Sequence, residues 1–158
     1  MFISYQYIML KNVWGPSIWN LFHGISYHLT SDKYEDIQAA LNIIITVCYN
    51  LPCPICSQHA KIHLAKYTLS KINTRNKLRQ FVFVFHNTVN KDLHKKQFSM
   101  DELVIYPSMD FNQILNHFFY VIKNIRTAGL TLYSFHRDDM ISRLRNYFIA
   151  NRVIYSLN

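Results

Sequence analysis

Apolar side chains recur every three or four positions along most of this chain, and that spacing predicts six helices in an all-α fold. Trp19, His23 and Tyr27 fall at i, i+4 and i+8, one stripe of a helix from about Pro16 to Leu29, with Pro16 suited to its first turn. Asp32 followed by Glu35 resembles a capping box. It would open a second helix whose Ile37, Leu41, Ile44, Ile45 and Cys48 face inward until Asn50-Leu51-Pro52 stops it. The third helix starts at the cysteines of LPCPIC and runs to about Leu69, leaving the polar KINTRNK stretch as a loop. FVFVF at 81–85 has the residue types of a strand. Over a longer window, however, Leu78, Val82, Phe85, Val89 and Leu93 step by four, three, four and four, which predicts a helix. After a polar break at Ser99 to Glu102 and a loop near Pro107 come two more amphipathic helices. One carries Phe111, Ile114, Leu115, Phe118, Ile122 and Ile125 up to Gly129. The other carries Ile141, Leu144, Tyr147 and Phe148 behind Asp138-Asp139.

Composition agrees with that pattern. A chain of 158 residues, half of them apolar and 15% aromatic, can bury a single core. Three glycines and four prolines are too few for an all-β chain that turns every ten residues. The opening MFISYQYIML lacks the basic start of a signal peptide, and Asn50, Pro52 and Pro54 break the apolar stretch from Ile43 to Cys56 before it spans a bilayer. The reading is therefore no membrane span and no targeting signal.

The formal charge of +8 is concentrated. Residues 61–96 hold nine lysines and arginines against one acid, Asp92, and the rest of the chain balances. Such a segment serves nucleic acid, an anionic cofactor, an acidic partner or simply solvent, and charge alone does not choose.

Two of the three cysteines, Cys53 and Cys56, lie together with His59 and His63 close behind. On one continuous helix those four ligand types spread along about 15 Å, at roughly 1.5 Å per residue. A tetrahedral zinc with bonds of about 2.0–2.3 Å does not gather them, and no metal is expected. A redox dithiol fits better, because the prolines tolerate a first turn and place both sulfurs on one face near unpaired N–H groups. A buried structural pair remains the alternative for a bare C-x-x-C. Cys48 reads as a core thiol.

Three stretches together narrow the choice: WGPSIWNLFH at 14–23 followed by Tyr27, LPCPIC at 51–56, and FHNTVNKDLHKKQF at 85–98. Their order and spacing resemble the Erv/ALR family of FAD-dependent sulfhydryl oxidases, most of all its small viral members, over roughly residues 13–103. The resemblance implies a four-helix bundle holding FAD beside the C-x-x-C. It implies catalytic roles for Cys53, attacked by a substrate thiolate, and Cys56, the cysteine beside the flavin. It also implies cofactor contacts from Gly15, Trp19, His23, Tyr27, His86, Asn87, Val89, Asn90 and Lys95. Among these, Trp19 and His23 are the aromatic contacts to the flavin and adenine portions, His86 and Asn90 polar contacts to the adenosine half, and Lys95 a partner of the pyrophosphate. The residues themselves agree at one point. The chain has no G-x-G-x-x-G turn, so helix side chains must hold a dinucleotide, and His86, Asn87 and Asn90 share one helix edge.

The chain lacks the family's second C-x-x-C shuttle and long-range stapling cysteines. A dithiol substrate or a separate shuttle protein is therefore expected to meet Cys53 directly, and the resemblance further implies oxygen as acceptor, hydrogen peroxide as product and a homodimer as the assembly. If the protein is viral, host cytoplasm or virion follows. The expected division is a sulfhydryl oxidase domain over 1–105 and a helical extension over 106–158, packed on that domain or on a dimer partner. The competing reading is a basic structural or nucleic-acid-binding viral protein whose flavin site is inactive.

Overall fold

A computed structural model describes residues 2–125 and 131–157. Six α-helices follow one another: α1 (Phe2–His28), α2 (Tyr34–Tyr49), α3 (Pro54–Leu64), α4 (Arg75–Asp92), α5 (Phe111–Asn124) and α6 (Thr131–Ala150). Short 3₁₀ turns occupy Leu69–Lys71, Met100–Ser108 and Arg152–Tyr155. No strand occurs among the described residues, as the 3.6-residue periodicity requires.

α1 is the axis of the molecule and packs against both α4 and α5, while α3 lies on α2 and α6 on α5. The reason is visible in its sequence: Leu21, Phe22, His23, Gly24, Ile25 and Ser26 are six consecutive buried residues, so this helix is enclosed on all sides. One continuous core runs from Trp14 on α1 through Leu41, Ile44 and Phe85 to Phe118, Leu144 and Tyr155. Residues beyond 105 belong to that core. Phe111 stacks on His28, with ring centroids 5.1 Å apart, and meets Phe148 and Tyr155. Thr30 donates its N–H and hydroxyl to the Ile154 carbonyl at 2.8 and 2.9 Å, tying the last turn to the end of α1.

Several boundaries differ from the sequence expectation, each for a physical reason. α1 starts fourteen residues before Pro16 and runs through it. The proline's missing N–H costs one i→i−4 bond, and the burial of Trp14 and Ile18 on either side of it offsets that loss. The Asp32–Glu35 capping box does not form. The N-cap of α2 is Lys33, with no side-chain cap, and Asp32 instead accepts from Arg75 Nε and Nη2 at 2.7 and 2.9 Å. α3 ends at Leu64, not Leu69, because Gln38 Nε2 donates to the Leu69 and Ile72 carbonyls and draws that segment onto α2. α4 begins at Arg75, inside the expected loop, with Thr74 Oγ1 capping the Lys77 N–H at 3.2 Å. The loop expected near Pro107 is a 3₁₀ turn. α6 begins at Thr131, and the acids expected to mark its start lie within it: Asp139 pairs with Arg143 one turn on at 2.8 Å. Gly129, expected near the end of α5, lies outside the described residues. No helix among the described residues is long and apolar enough to cross a membrane.

α1 and α5 cross closely at Gly24. A Cβ there would sit 2.9 Å from Phe111 Cε2 and 3.3 Å from Ile114 Cδ1. Gly24→Ala is therefore expected to destabilise the fold by about 1–3 kcal/mol net, since overpacking outweighs the roughly 1 kcal/mol of helix propensity gained. Thermal unfolding of the variant checks this.

Candidate functional site

A cavity of about 450 Å³ opens between α1, α3, α4 and the segment after α4. Its size suits a cofactor-class ligand. Local structure explains each wall.

α1 contributes Gly15, Ile18, Trp19 and Phe22. Gly15 matters by what it lacks: a Cβ built there meets nothing within 4 Å, so the cavity reaches the backbone at this point.

α3 contributes Cys56, His59 and Ala60. Cys53 is the N-cap of this helix in extended conformation, with Pro54 at N1, so the sequence Pro-Cys-Pro starts the helix between the cysteines. Cys53 and Cys56 are joined as a disulfide with Cα atoms 5.1 Å apart. Cys53 Sγ accepts the Cys56 N–H at 3.2 Å, a sulfur in the place of a capping oxygen. Only Cys56 of the pair lines the cavity. Cys53 and Cys56 are each partly exposed, so the disulfide has one cysteine at the cavity wall and remains accessible from solvent.

α4 contributes Phe85, His86, Val89 and Asn90. It ends in a Schellman turn: His94 N–H bonds the Lys91 carbonyl at 3.1 Å and Lys95 N–H bonds the Asn90 carbonyl at 2.8 Å. The left-handed position is His94, with φ 52°, where glycine is usual. This reversal brings Lys95, Lys96 and Phe98 back onto the cavity. Asn87 then fastens the strap. Its Nδ2 donates to the Phe98 carbonyl at 2.9 Å and its Oδ1 accepts the Phe98 N–H at 2.8 Å. Phe98 in turn lies over His86, with centroids 4.6 Å apart.

The buried polar floor is a row of rings. Trp19 stacks on His86 at 3.9 Å and 9°, His86 Nδ1 meets His23 Nε2 at 3.0 Å, and His23 stacks on Tyr106 at 4.6 Å. Burial, then the neighbouring His86, pulls His23 down to about 3; burial, then Lys95, pulls His86 down to about 4. Both rings are neutral near pH 7. Burial raises the Tyr106 phenol to about 12, aided by Tyr27. Lys11 and Lys95 both line the cavity, and the Lys11 ammonium is lowered first by burial and then by Lys95. Two facing cations beside an apolar slot fit an anionic, aromatic ligand.

Of the residues singled out in the sequence, Gly15, Trp19, Cys56, His86, Val89, Asn90 and Lys95 come together on this cavity. His23 does not line it: it is wholly buried behind His86. Tyr27 also lies away from it, with Arg79 4.8 Å from its ring centre. Asn87 holds the strap instead of lining the wall. Missed by the sequence reading were Lys11, Phe98, Asp92 and Tyr106. Buried His63, seven positions after Cys56 and so on its face of α3, donates Nε2–H to Asp92 Oδ2 at 2.7 Å. Cys48, read as a core thiol, is buried but also borders the cavity, and burial holds its thiol neutral by raising its pKa.

Two predictions follow from this geometry. Asn87→Ala removes both bonds to Phe98 and should lower stability by about 1–3 kcal/mol, read in urea unfolding. The depressed pKa values of His23 and His86 mean that the unfolded chain takes up protons that the folded chain refuses. Stability attributable to the pair is full above pH 6.5 and is lost as pH falls toward about 4. Melting temperatures from pH 7 to 4 should fall less steeply in His23→Gln than in the parent chain.

Comparison with known proteins places this architecture. Residues 16–109 match the Erv1 / Alr family. An FAD-linked sulfhydryl oxidase from a tick isolate of African swine fever virus is 36% identical over 108 residues, 65% of this chain and 84% of that protein. That of a pig isolate is 37% identical over 94 residues, 56% and 75% of the two chains. A putative FAD-linked sulfhydryl oxidase of Invertebrate iridescent virus 6 is 28% identical over 96 residues, 53% and 82%. No solved structure matches the chain. The family match spans the dithiol, the ring row and the strap alike, and this all-helical chain belongs to the Erv1 / Alr family.

Proposed function

We propose that this protein is an FAD-linked sulfhydryl oxidase that makes disulfides in dithiol substrates at the expense of oxygen. The observation that carries the reading is the Cys53–Cys56 disulfide, with Cys56 on the wall of a cavity built from Trp19, His86, Asn90 and Lys95. Its relatives bear that activity in their names. The cavity fits the cofactor: Gly15 leaves the wall open, Trp19 and Phe85 supply apolar surface, and Lys11 and Lys95 supply charge for a diphosphate.

The chain's own residues set the direction of thiol exchange. A substrate thiolate attacks Cys53 Sγ, the S–S bond breaks, and Cys56 leaves as a thiolate on the cavity side. The substrate's second thiolate then attacks the mixed disulfide at the substrate sulfur. The substrate disulfide closes and Cys53 leaves as a thiolate. That leaving sulfur is already the N-cap of α3 and accepts the Cys56 N–H, so the helix end stabilises its negative charge. Bound FAD supplies the two-electron acceptor that restores the protein disulfide and passes the electrons on to oxygen. Asn87 and the Schellman turn keep the strap over His86.

Gly15, Trp19, His86, Val89, Asn90 and Lys95 are the proposed direct contacts to FAD, with Lys95 on the diphosphate. His23, Tyr27 and Asn87 support that site from behind. Residues 1–105 form the proposed oxidase unit and residues 106–158 an extension whose α5 packs on α1. The proposed substrate is a protein dithiol or a shuttle protein, since this chain holds one C-x-x-C. A homodimer and a viral setting, host cytoplasm or virion, complete the proposal; the relatives are viral. The competing reading, a nucleic-acid-binding protein with a dead site, gains no support from a cavity that brings Cys56, Trp19, His86, Asn90 and Lys95 together.

Purified protein should be yellow and should consume oxygen and release hydrogen peroxide when given dithiothreitol. Cys53→Ser and Cys56→Ser should each cut turnover on the order of a thousandfold or more, while Cys56→Ser keeps its flavin absorbance. Colourless protein after reconstitution with FAD would sink the reading.

A further inference from the structure

The proposed FAD site leaves one buried residue with an unexplained role. His23 is 0% exposed and does not line the cavity, yet its Nε2 is 3.0 Å from Nδ1 of His86, which does. Its other ring nitrogen, Nδ1, is buried and has no hydrogen-bond partner.

We infer that His23 is a positioning residue that fixes the tautomer of His86: His23 donates Nε2–H to His86 Nδ1, so His86 carries its proton on Nε2 as a donor toward the cofactor. This rests on the FAD reading for the identity of the ligand, though not for the tautomers.

A neutral pair joined by one hydrogen bond has two possible arrangements. In the first, His23 Nε2–H donates. The unpartnered His23 Nδ1 is then a bare lone pair, and His86 presents Nε2–H to the cavity. In the second, His86 Nδ1–H donates. His23 Nδ1 must then carry a proton, leaving a buried N–H with no acceptor, and His86 presents a lone pair. An orphaned buried N–H is the rarer and costlier defect. An unmet donor shifts such an equilibrium by roughly 5- to 150-fold, which selects the first arrangement. A charged ring in either position is suppressed near neutrality, because burial holds both rings well below their ordinary range. Stacking on Trp19, at 3.9 Å and 9°, and on Tyr106 keeps the two ring planes from rotating to escape the choice.

The consequence is chemical selectivity at one point of the wall. A donor at His86 Nε2 joins the ammonium of Lys95 in facing the ligand, so this end of the cavity accepts lone-pair-bearing atoms. Ring nitrogens of a purine and diphosphate oxygens both qualify, and a ligand offering an N–H there is rejected.

The test reads protons directly. Long-range ¹H–¹⁵N spectra of histidine-labelled protein, recorded with and without FAD near pH 7, should show both His23 and His86 protonated at Nε2 and bare at Nδ1. Protonation of either ring at Nδ1 overturns the inference. Independently, His23→Phe keeps an aromatic ring but no donor, and should raise the Kd for FAD roughly 5- to 150-fold. His23→Gln, whose amide nitrogen sits where Nε2 does, should recover most of that loss. Equal affinity in His23→Phe and the parent, or no recovery in a folded His23→Gln, overturns the inference as well. A parent chain that takes up no FAD sinks the function proposed above, whereas the spectra of the ligand-free protein still decide the tautomers.

Discussion

Complete enclosure of the middle of α1 is the constraint on which the rest of this structure depends. From Leu21 to Ser26 no residue reaches solvent, so each must be apolar, small or paired. Leu21, Phe22 and Ile25 satisfy this by packing, and Gly24 by leaving room for Phe111. Ser26 returns its hydroxyl to the His23 carbonyl, and His23 finds His86. One side of the helix thus joins the C-terminal helices while the other forms the floor of the cavity.

A bundle that binds a dinucleotide without a glycine-rich turn must build every contact from side chains and helix ends. Here two helix termini do so. The N-terminus of α3 holds the disulfide, with one of its own sulfurs as cap. The C-terminus of α4 reverses through His94 and returns two lysines and a phenylalanine over the cavity. The basic excess of residues 61–96 is thus put to use at one end, where Lys95 and Lys96 meet the cavity, while Arg75 goes to Asp32 and Arg79 to Tyr27 and the Ser26 carbonyl.

Much of this was legible in the sequence. Periodicity outweighed residue type for FVFVF because Phe81, Val82 and Phe85 are buried at helical intervals. The aromatic stripe and the dithiol announced the cavity. What escaped reading had tertiary causes. Pro16 looks like a helix start because only burial of Trp14 and Ile18 compensates its lost bond. Asp32 looks like a cap because nothing local reveals Arg75, 43 positions away. His23 is a cofactor contact by resemblance, and the helical stripe it shares with Trp19 and Tyr27 gives its face but not that His86 stands in front of it. Lys11 and Tyr106 carry no local signal, being brought in by the upstream length of α1 and by a 3₁₀ turn.

Sharing α1 between the cavity and the C-terminal helices joins two equilibria. Unfolding α1 destroys the pocket, so any ligand held there adds its binding free energy to the work of releasing α5 and α6, about 2.7 kcal/mol at a hundred times its Kd. Cofactor loading therefore acts as a thermostat on the whole chain, and the distal helices inherit protection from a molecule they never touch.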